Sequence, residues 1–304
     1  MPSLMERPTD QGEDHAQAFA HHGLDLTEGR GGQLDGACPF CAADKFTVEA
    51  ATGLWRCWVC SRTGNPLEFL RVLWKASDAA TNGWGKKLAE DRRLLDQATV
   101  TAWGACRSVV DGAWMVPGYN TRAELVQLYR RVQVQGKDQS WSWRLLPTPG
   151  VWESGKAHAL HMPTGDYDPK RQTWYVAEGP WDGMAFWEVA RQARSNGAPL
   201  EVTGNPSHSV IADANVVAVP GCSVWRGEWT EAVRGKDVVL LYDNDHPRDC
   251  NGVVTMAGRD GVVRVCGKLA GAARSVSYLA WGGGGFDASL ADGFDVRDAL
   301  TRGM

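Results

Sequence analysis

Long apolar runs are missing from this chain of 304 residues. The longest, such as Val238 to Tyr242, fall far short of the roughly 20 residues that cross a bilayer as a helix. The N-terminus, Met1-Pro2-Ser3-Leu4-Met5-Glu6-Arg7, lacks the apolar core of a secretory signal. No membrane partner is expected, and the expected location is the cytoplasm. A global excess of positive charge is missing too. Lys and Arg total 32 against 36 Asp and Glu, for a net charge of −4, and the isoelectric point is about 6.0. Any polyanionic partner must therefore be held by a local patch. Internal repeats and long low-complexity segments are absent as well. What is present is an ordinary globular composition, 43% hydrophobic and 22% charged, in a chain long enough for about two domains.

The eight cysteines are unevenly placed. Cys106, Cys222, Cys250 and Cys266 are scattered and read as small buried hydrophobes. The other four form two knuckles, Cys38-Pro39-Phe40-Cys41 and Cys57-Trp58-Val59-Cys60. Two C-x-x-C knuckles at this separation complete a tetrahedral thiolate cage, which predicts one structural zinc ion, Zn2+. Phe46-Thr47-Val48 and Leu54-Trp55-Arg56 between them read as strands of a zinc ribbon. Residues 12–22 read as a short helix leading into the Gly-rich residues 29–36. Asn65, Pro66 and Glu68 occupy N-cap, N1 and N3 of a helix expected to run from Pro66 to about Lys75. A polar, Lys/Arg-rich helical linker follows over residues 77–97.

From Trp114 the pattern changes. Leu125 to Gln135 and Trp141 to Leu146 read as strands. Strand and helix then alternate: Trp174 to Ala177, a helix from Trp181 to Ala193, Val216 to Val219, a short helix at 228–234, Asp237 to Tyr242, a helix at about 251–270, and Ser275 to Trp281. Apolar strands alternating with helices predict a covered parallel sheet. Two of the strands end in acids, Glu178-Gly179-Pro180-Trp181-Asp182 and Asp243-Asn244-Asp245. Ligand sites of open α/β sheets lie beyond the carboxyl ends of strands, so Glu178, Asp243 and Asp245 are expected in one crevice. Carboxylates so gathered repel one another unless Mg2+ or Mn2+ sits among them, an arrangement suited to nucleotidyl transfer. Each acidic pair also fits a plain helix-capping role. Gly150 to Ala157 falls one residue short of a P-loop, because Ala157 stands where a hydroxyl must reach Mg2+. Residues 157–161 read instead as a short strand.

These residues together resemble a family. Glu178-Gly179-x-x-Asp182 followed by Asp243-x-Asp245 resembles the TOPRIM signature, and Asp295-Val296-Arg297-Asp298 resembles the late acidic element of its DnaG-type primase branch. The cysteine segment, closing on Gly64-Asn65-Pro66-Leu67-Glu68-Phe69, resembles a primase zinc ribbon, with a four-cysteine site in the style of phage primases. Trp114-Met115-Val116-Pro117, then Leu125 to Arg131, then Trp143-Arg144 resemble the basic subdomain before TOPRIM. The sequence departs from the pattern at Cys41, at Phe294 and in the stretch His246 to Asn251 that delays the glycine after the Asp-x-Asp turn.

The resemblance implies a zinc ribbon over 1–75, a helical linker over 76–98, a mixed α+β basic subdomain over 99–170 and a Rossmann-like TOPRIM domain over 171–304. It implies a DNA-directed RNA polymerase that makes short primers on single-stranded DNA from ribonucleoside triphosphates. A replicative helicase would act in trans, since the chain ends shortly after Asp298, and a phage or mobile-element source would place the protein in the host cytoplasm. Glu178, Asp243 and Asp245 would be catalytic and hold the divalent ions with Asp295, and Asp182 and Asp298 would support them. Arg130, Arg131, Lys137 and Arg144 would bind nucleotide. Arg130 and Arg131 point to opposite faces of a strand, so one of them reaches the pocket directly. Lys45, Trp55, Arg56, Trp58 and Arg62, with Phe40, would contact template, although Trp55 and Trp58 equally suit the ribbon core. His246 reads either as an acid–base group or as a solvent-facing loop histidine. The competing classes are a non-catalytic binder of the RecR type, which also pairs a four-cysteine site with TOPRIM, and a TOPRIM nuclease.

Overall fold

The structure, a computed structural model, describes residues 15–80, 85–92, 96–136, 139–151, 158–196, 213–250, 252–282 and 286–302. Lys137, the P-loop-like residues 152–157 and Gly283 to Gly285 lie outside them.

The first sheet grows around the cysteine knuckles. After helix α1 (Gln17–His21) come strands β1 (Leu26–Glu28), β2 (Gln33–Gly36), β3 (Phe46–Glu49), β4 (Trp55–Cys57) and β5 (Thr63–Gly64), an antiparallel meander in chain order. The glycine-rich stretch thus forms the turn and second strand of a hairpin. Gly31 and Gly32 take φ of 66° and 78° at its turn, a conformation that glycine adopts without strain. The ribbon core is aromatic: Trp55 lies within 6.0 Å of Phe40, Phe46 and Phe69, and Phe19 packs on Phe69 at 4.6 Å. Helix α2 (Pro66–Ala80) starts as the sequence predicts, with Asn65 Oδ1 accepting the Glu68 N–H at 2.9 Å. Phe69, Leu70 and Leu73 bury one face, and the helix runs past Lys75 to a buried Ser77, whose hydroxyl oxygen accepts the Val109 N–H at 3.2 Å.

Helices α3 (Gly85–Asp91) and α4 (Gln97–Ala102) follow. The stretch expected to be a polar helix or linker contains α3, where Leu88 and Ala89 are buried, and just beyond it Val100 is buried and the Thr99 hydroxyl donates to Glu188 at 2.6 Å. The second sheet is antiparallel, with β6 (Cys106–Arg107), β7 (Trp114–Tyr119), β8 (Leu125–Gln135) and β9 (Trp141–Pro147) in chain order.

The third sheet is parallel. It comprises β10 (Thr173–Ala177), helix α5 (Pro180–Asn196), β11 (Ala214–Ala218), helix α6 (Gly227–Ala232) and β12 (Asp237–Leu241). A hairpin of β13 (Arg248–Cys250) and β14 (Val253–Thr255) then precedes helix α7 (Ala257–Leu269), β15 (Ser275–Tyr278) and helix α8 (Val296–Arg302). The hairpin occupies the start of what the sequence suggests is a helix from about 251. Strand order is β11-β10-β12-β15, all parallel. Alternate residues of a strand face opposite sides. Ala177, Val216, Ala218 and Leu241 pack with Met184, Phe186 and Trp187 of α5. Val176, Val217, Val238 and Leu240 pack with Trp229, Val262 and Val265 of α6 and α7. Both faces are therefore covered, which is why these strands read as apolar without alternation. Close packing on the α5 side depends on Gly183, where a Cβ would stand 2.6 Å from the Trp103 ring.

A single extended segment joins the second and third sheets. Leu160 exchanges backbone hydrogen bonds with Tyr119 of β7 at 2.7 and 3.0 Å, and His161 with Ala218 of β11 at 2.9 Å. The His161 ring is buried, with Nδ1 donating to the Pro117 carbonyl at 2.8 Å, and burial lowers its pKa to about 4. A histidine depressed in the folded state contributes stability that is present above about 6.5 and is lost as pH falls through about 4. The urea midpoint should fall across that window, and His161→Gln should remove on the order of 3 kcal/mol of the pH-dependent part. Equal slopes in the two proteins would place the acid sensitivity elsewhere.

Candidate functional site

Strand order reverses at β10, which has β11 on one side and β12 on the other. The switch point lies between the ends of β10 and β12, where Ala177 pairs with Leu241. The next residue on β10 is Glu178, and Asp243 lies two beyond Leu241. The Glu178 carboxylate accepts the Asp243 N–H at 3.3 Å. Asp245 Oδ2 accepts the Gly258 N–H at 2.7 Å, at the start of α7. Gly258 has no alternative here, since a Cβ would sit 2.4 Å from the Asp243 carbonyl oxygen. The residue between the acids, Asn244, is buried and turned away from them. Its N–H donates to the Phe294 carbonyl at 2.8 Å, and its side chain bonds Asp287 and Ala291. Asn244 thereby ties the Asp-x-Asp turn to the segment that delivers Asp295.

Five acids share one electrostatic neighbourhood. Burial first, and then the charges of Asp182, Glu178, Asp295 and Asp245, push the Asp243 carboxyl up to about 10. Burial and Asp245 raise Glu178, against N–H donation from Asp243 and the Cys222 thiol. Burial raises Asp182 to about 7 despite the Arg297 guanidinium beside it. The acids fall into two tiers. Glu178, Asp243 and Asp245 are half-buried at the crevice. Asp182 and Asp295 are buried, and Arg297 bridges them, with Nε 2.8 Å from Asp182 Oδ1 and Nη2 on Asp295 Oδ2. Asp298 and Asp295 exchange hydrogen bonds at 2.9 and 3.3 Å, a reciprocal cap on α8, so Asp298 supports through the helix start. His246 is fixed by its loop, its Nε2 donating to the Leu290 carbonyl at 3.0 Å, and is not turned to the acids by any contact found.

The four cysteines come together as the spacing predicts. Their sulfurs lie within 4.8 Å of one another, with Cys38–Cys60 at 3.9 Å and Cys41–Cys57 at 3.6 Å. A tetrahedral zinc with bonds of about 2.3 Å requires sulfurs about 3.8 Å apart. Ala42 and Ser61, each just past its knuckle, both take φ near 60°, so the two knuckles turn alike. Burial opposes a thiolate at Cys57, but N–H groups of Cys60 and Val59 outweigh it and bring the thiol down to about 6. Four convergent soft donors fit zinc. Among the described residues this is the one group of three or more candidate ligands drawn so tightly together. The acids are more widely spaced, and their hard oxygens fit Mg2+ or Mn2+.

The cationic residues divide by face. Arg130 pairs with Asp111, and its charge bears on His21, towards the ribbon. Arg131 stacks on Trp143 at 4.5 Å. Register puts Trp143 opposite Gln133 and Arg144 opposite Val132. Arg144, exposed, therefore shares the face of Arg130 and not that of Arg131. Both Arg130 and Arg131 line a cleft of about 560 Å3 with Lys87, Arg107 and Trp143. A further cation was missed by sequence reasoning. Arg92 stacks on Trp181 at 4.9 Å, and burial with the charges of Arg131 and Arg297 lowers it to about 10. Arg92 is thus within the electrostatic reach of both Arg131 and Arg297. On the ribbon, Lys45, Arg56, Trp58 and Arg62 are exposed, with the Arg56 guanidinium 4.0 Å over the Trp58 ring. Trp55 is a correction. It is 2% exposed, with Nε1 donating to the Asn65 carbonyl, so its ring belongs to the ribbon core and not to a template surface. Arg297 lay inside the quoted acidic element and was legible as a charge two residues from Asp295. Arg92 and Cys222 carried no sequence signal.

No family model matches the sequence, and no curated protein sequence does. Among solved structures the chain is similar to the zinc-binding and RNA polymerase domains of Aquifex aeolicus primase, at 13% identity and TM-score 0.48, over 95% of this chain and 80% of that one. It is similar to the primase fragment of the bacteriophage T7 primase-helicase protein, at 16% identity and TM-score 0.40, over 88% and 93%. It is also similar to the RNA polymerase domain of Mycobacterium tuberculosis primase DnaG, at 15% identity and TM-score 0.47, over 78% of each. At such identities and scores the site has to be read from the chain's own residues.

Cys57→Ser should release the metal and unfold the ribbon, because a sheet this small buries too little apolar surface to fold unaided. Metal content by atomic absorption and proteolytic cleavage within residues 26–64 check this. Zinc loss with an uncut ribbon would show that the aromatic core suffices.

Proposed function

We propose that the chain is a DnaG-type primase, a DNA-directed RNA polymerase that joins ribonucleotides on a single-stranded DNA template by metal-dependent nucleotidyl transfer. The observation that carries this reading is the convergence of Glu178, Asp243 and Asp245 at the switch point of a parallel sheet, with Asp243 raised by burial and by four neighbouring carboxylates. The quoted motifs and the four-thiol ribbon support it.

Divalent ions held by Glu178, Asp243 and Asp245 would lower the pKa of the attacking hydroxyl and neutralise charge on the leaving pyrophosphate. The chain's own groups do the rest. Asn244 fixes the turn that aims both aspartates, and Gly258 lets α7 start against it. Arg131 and Arg92 offer two guanidinium groups, a geometry suited to triphosphate oxygens. On the ribbon, Trp58 offers a ring for base stacking, and Lys45, Arg56 and Arg62 supply phosphate contacts. Partners of this activity would be single-stranded DNA, ribonucleoside triphosphates and a replicative helicase acting in trans. The setting would be DNA replication in the cytoplasm, of the host if the source is a phage. Among the described residues no helix is long and apolar enough to cross a membrane.

The direct test is primer synthesis on single-stranded DNA with labelled ribonucleotides. Asp243→Asn should lower the rate by ~10²-fold or more while circular dichroism stays unchanged. Near-normal synthesis by a folded Asp243→Asn protein would refute the assignment.

A second experiment separates the two arginine faces. Arg131→Ala should raise the nucleotide KM by about tenfold, the worth of one charged hydrogen bond. Arg144→Ala, on the other face, should change it little. The reverse order would place the nucleotide on the face of Arg130 and Arg144.

A further inference from the structure

We propose that Arg297 is a resident cation that fills the place of a divalent ion between Asp182 and Asp295, so that metal binding is confined to Glu178, Asp243 and Asp245. The inference rests on the reading that the acidic crevice binds divalent ions, and it corrects the expectation that Asp295 is one of the ligands.

Both oxygens of Asp295 are already engaged by protein donors. Oδ2 accepts from Arg297 Nη2, and Oδ1 accepts the Asp298 N–H at 2.9 Å. Asp182 Oδ1 accepts from Arg297 Nε at 2.8 Å. The side chains are 15% exposed for Arg297, 9% for Asp182 and 6% for Asp295. A guanidinium is planar, stays charged and presents its donors in a fixed fork, so one Arg can hold two carboxylates that would otherwise repel. Mg2+ binds carboxylate oxygens at about 2.0–2.1 Å and retains several waters. A buried pair already spanned by a cation keeps one net negative charge instead of two, and the oxygens an ion would take are turned to the guanidinium.

Local structure fixes the cation in place. The reciprocal Asp295–Asp298 cap sets the start of α8, which puts Arg297 in its first turn. The tie from Asn244 to Phe294 brings that helix start under the crevice. Arg92, itself within the field of Arg297, adds positive charge on the same side. Among the described residues Glu178, Asp243 and Asp245 have no such bridging cation, and their hydrogen-bond donors are backbone N–H groups and the Cys222 thiol.

The test is Mn2+ binding to the full-length, zinc-loaded protein, followed by electron paramagnetic resonance and by calorimetry, with no turnover required. Asp243→Asn should weaken Mn2+ binding by about tenfold or more, since loss even of an outer partner of a ligand costs about that much. Asp295→Asn and Asp182→Asn, which remove a neighbouring charge and not a ligand, should weaken Mn2+ binding less than Asp243→Asn does and leave the stoichiometry as in the wild type. Arg297→Met should create a site, with an additional Mn2+ bound per chain and a Tm that Mn2+ raises more than in the wild type. Should that variant fold poorly, the two Asn variants decide the matter alone. If Asp295→Asn weakens binding as much as Asp243→Asn, Asp295 is a ligand and the inference fails while the metal reading stands. No Mn2+ binding by the wild type, or none sensitive to Asp243, would overturn the metal reading and this inference with it.

Discussion

Carboxylates brought together at the ends of β10 and β12 repel one another, and much of the surrounding structure serves to hold them there. Burial first, and then the neighbouring carboxylates, push the Asp243 carboxyl well above the usual carboxylate range. The opposing forces are local and specific: N–H groups of Asp243 and Gly258 directed at Glu178 and Asp245, and one guanidinium between Asp182 and Asp295. Packing supplies the rest. Both faces of the parallel sheet are covered by apolar side chains, so its strand ends cannot splay to relieve the repulsion.

The other two sheets relate to that centre through a few defined joints. The Leu160–His161 segment couples the antiparallel sheet to β11 by hydrogen bonds on both sides. Buried His22 bonds the Thr148 hydroxyl at 2.8 Å, and α2 lies on β6 and β8, so the ribbon is seated on the antiparallel sheet. Arg92, which feels the charges of both Arg131 and Arg297, directly follows α3 in a stretch that the sequence presents as a polar helix or linker.

Several features were legible because they depend on spacing or on local chemistry. Four thiols in two knuckles converge wherever the chain between them folds back, and Asn65-Pro66-x-Glu68 starts a helix by its own hydrogen bonds. Apolar runs without alternation implied a covered parallel sheet, and acids at two of its strand ends implied a shared crevice. The hairpin β13–β14 was not legible, since a short polar insertion before a helix has no period to read. The hairpin β1–β2 was hidden for a related reason, since its glycines read as slack until the turn geometry shows their use.

By itself the sequence determined the zinc ligands, the strand-and-helix order and which acids end strands, because each follows from neighbours a few residues apart. Only the tertiary structure decided which acids face the crevice and which are held by Arg297, since that contact joins residues 115 positions apart. It alone turned Trp55 into the ribbon core while leaving Trp58 exposed, and it placed Arg144 on the face of Arg130 and not that of Arg131 through the register of β8 and β9. Side-chain type sets what a residue can do. Its partner is set by packing across the chain, which no local pattern encodes.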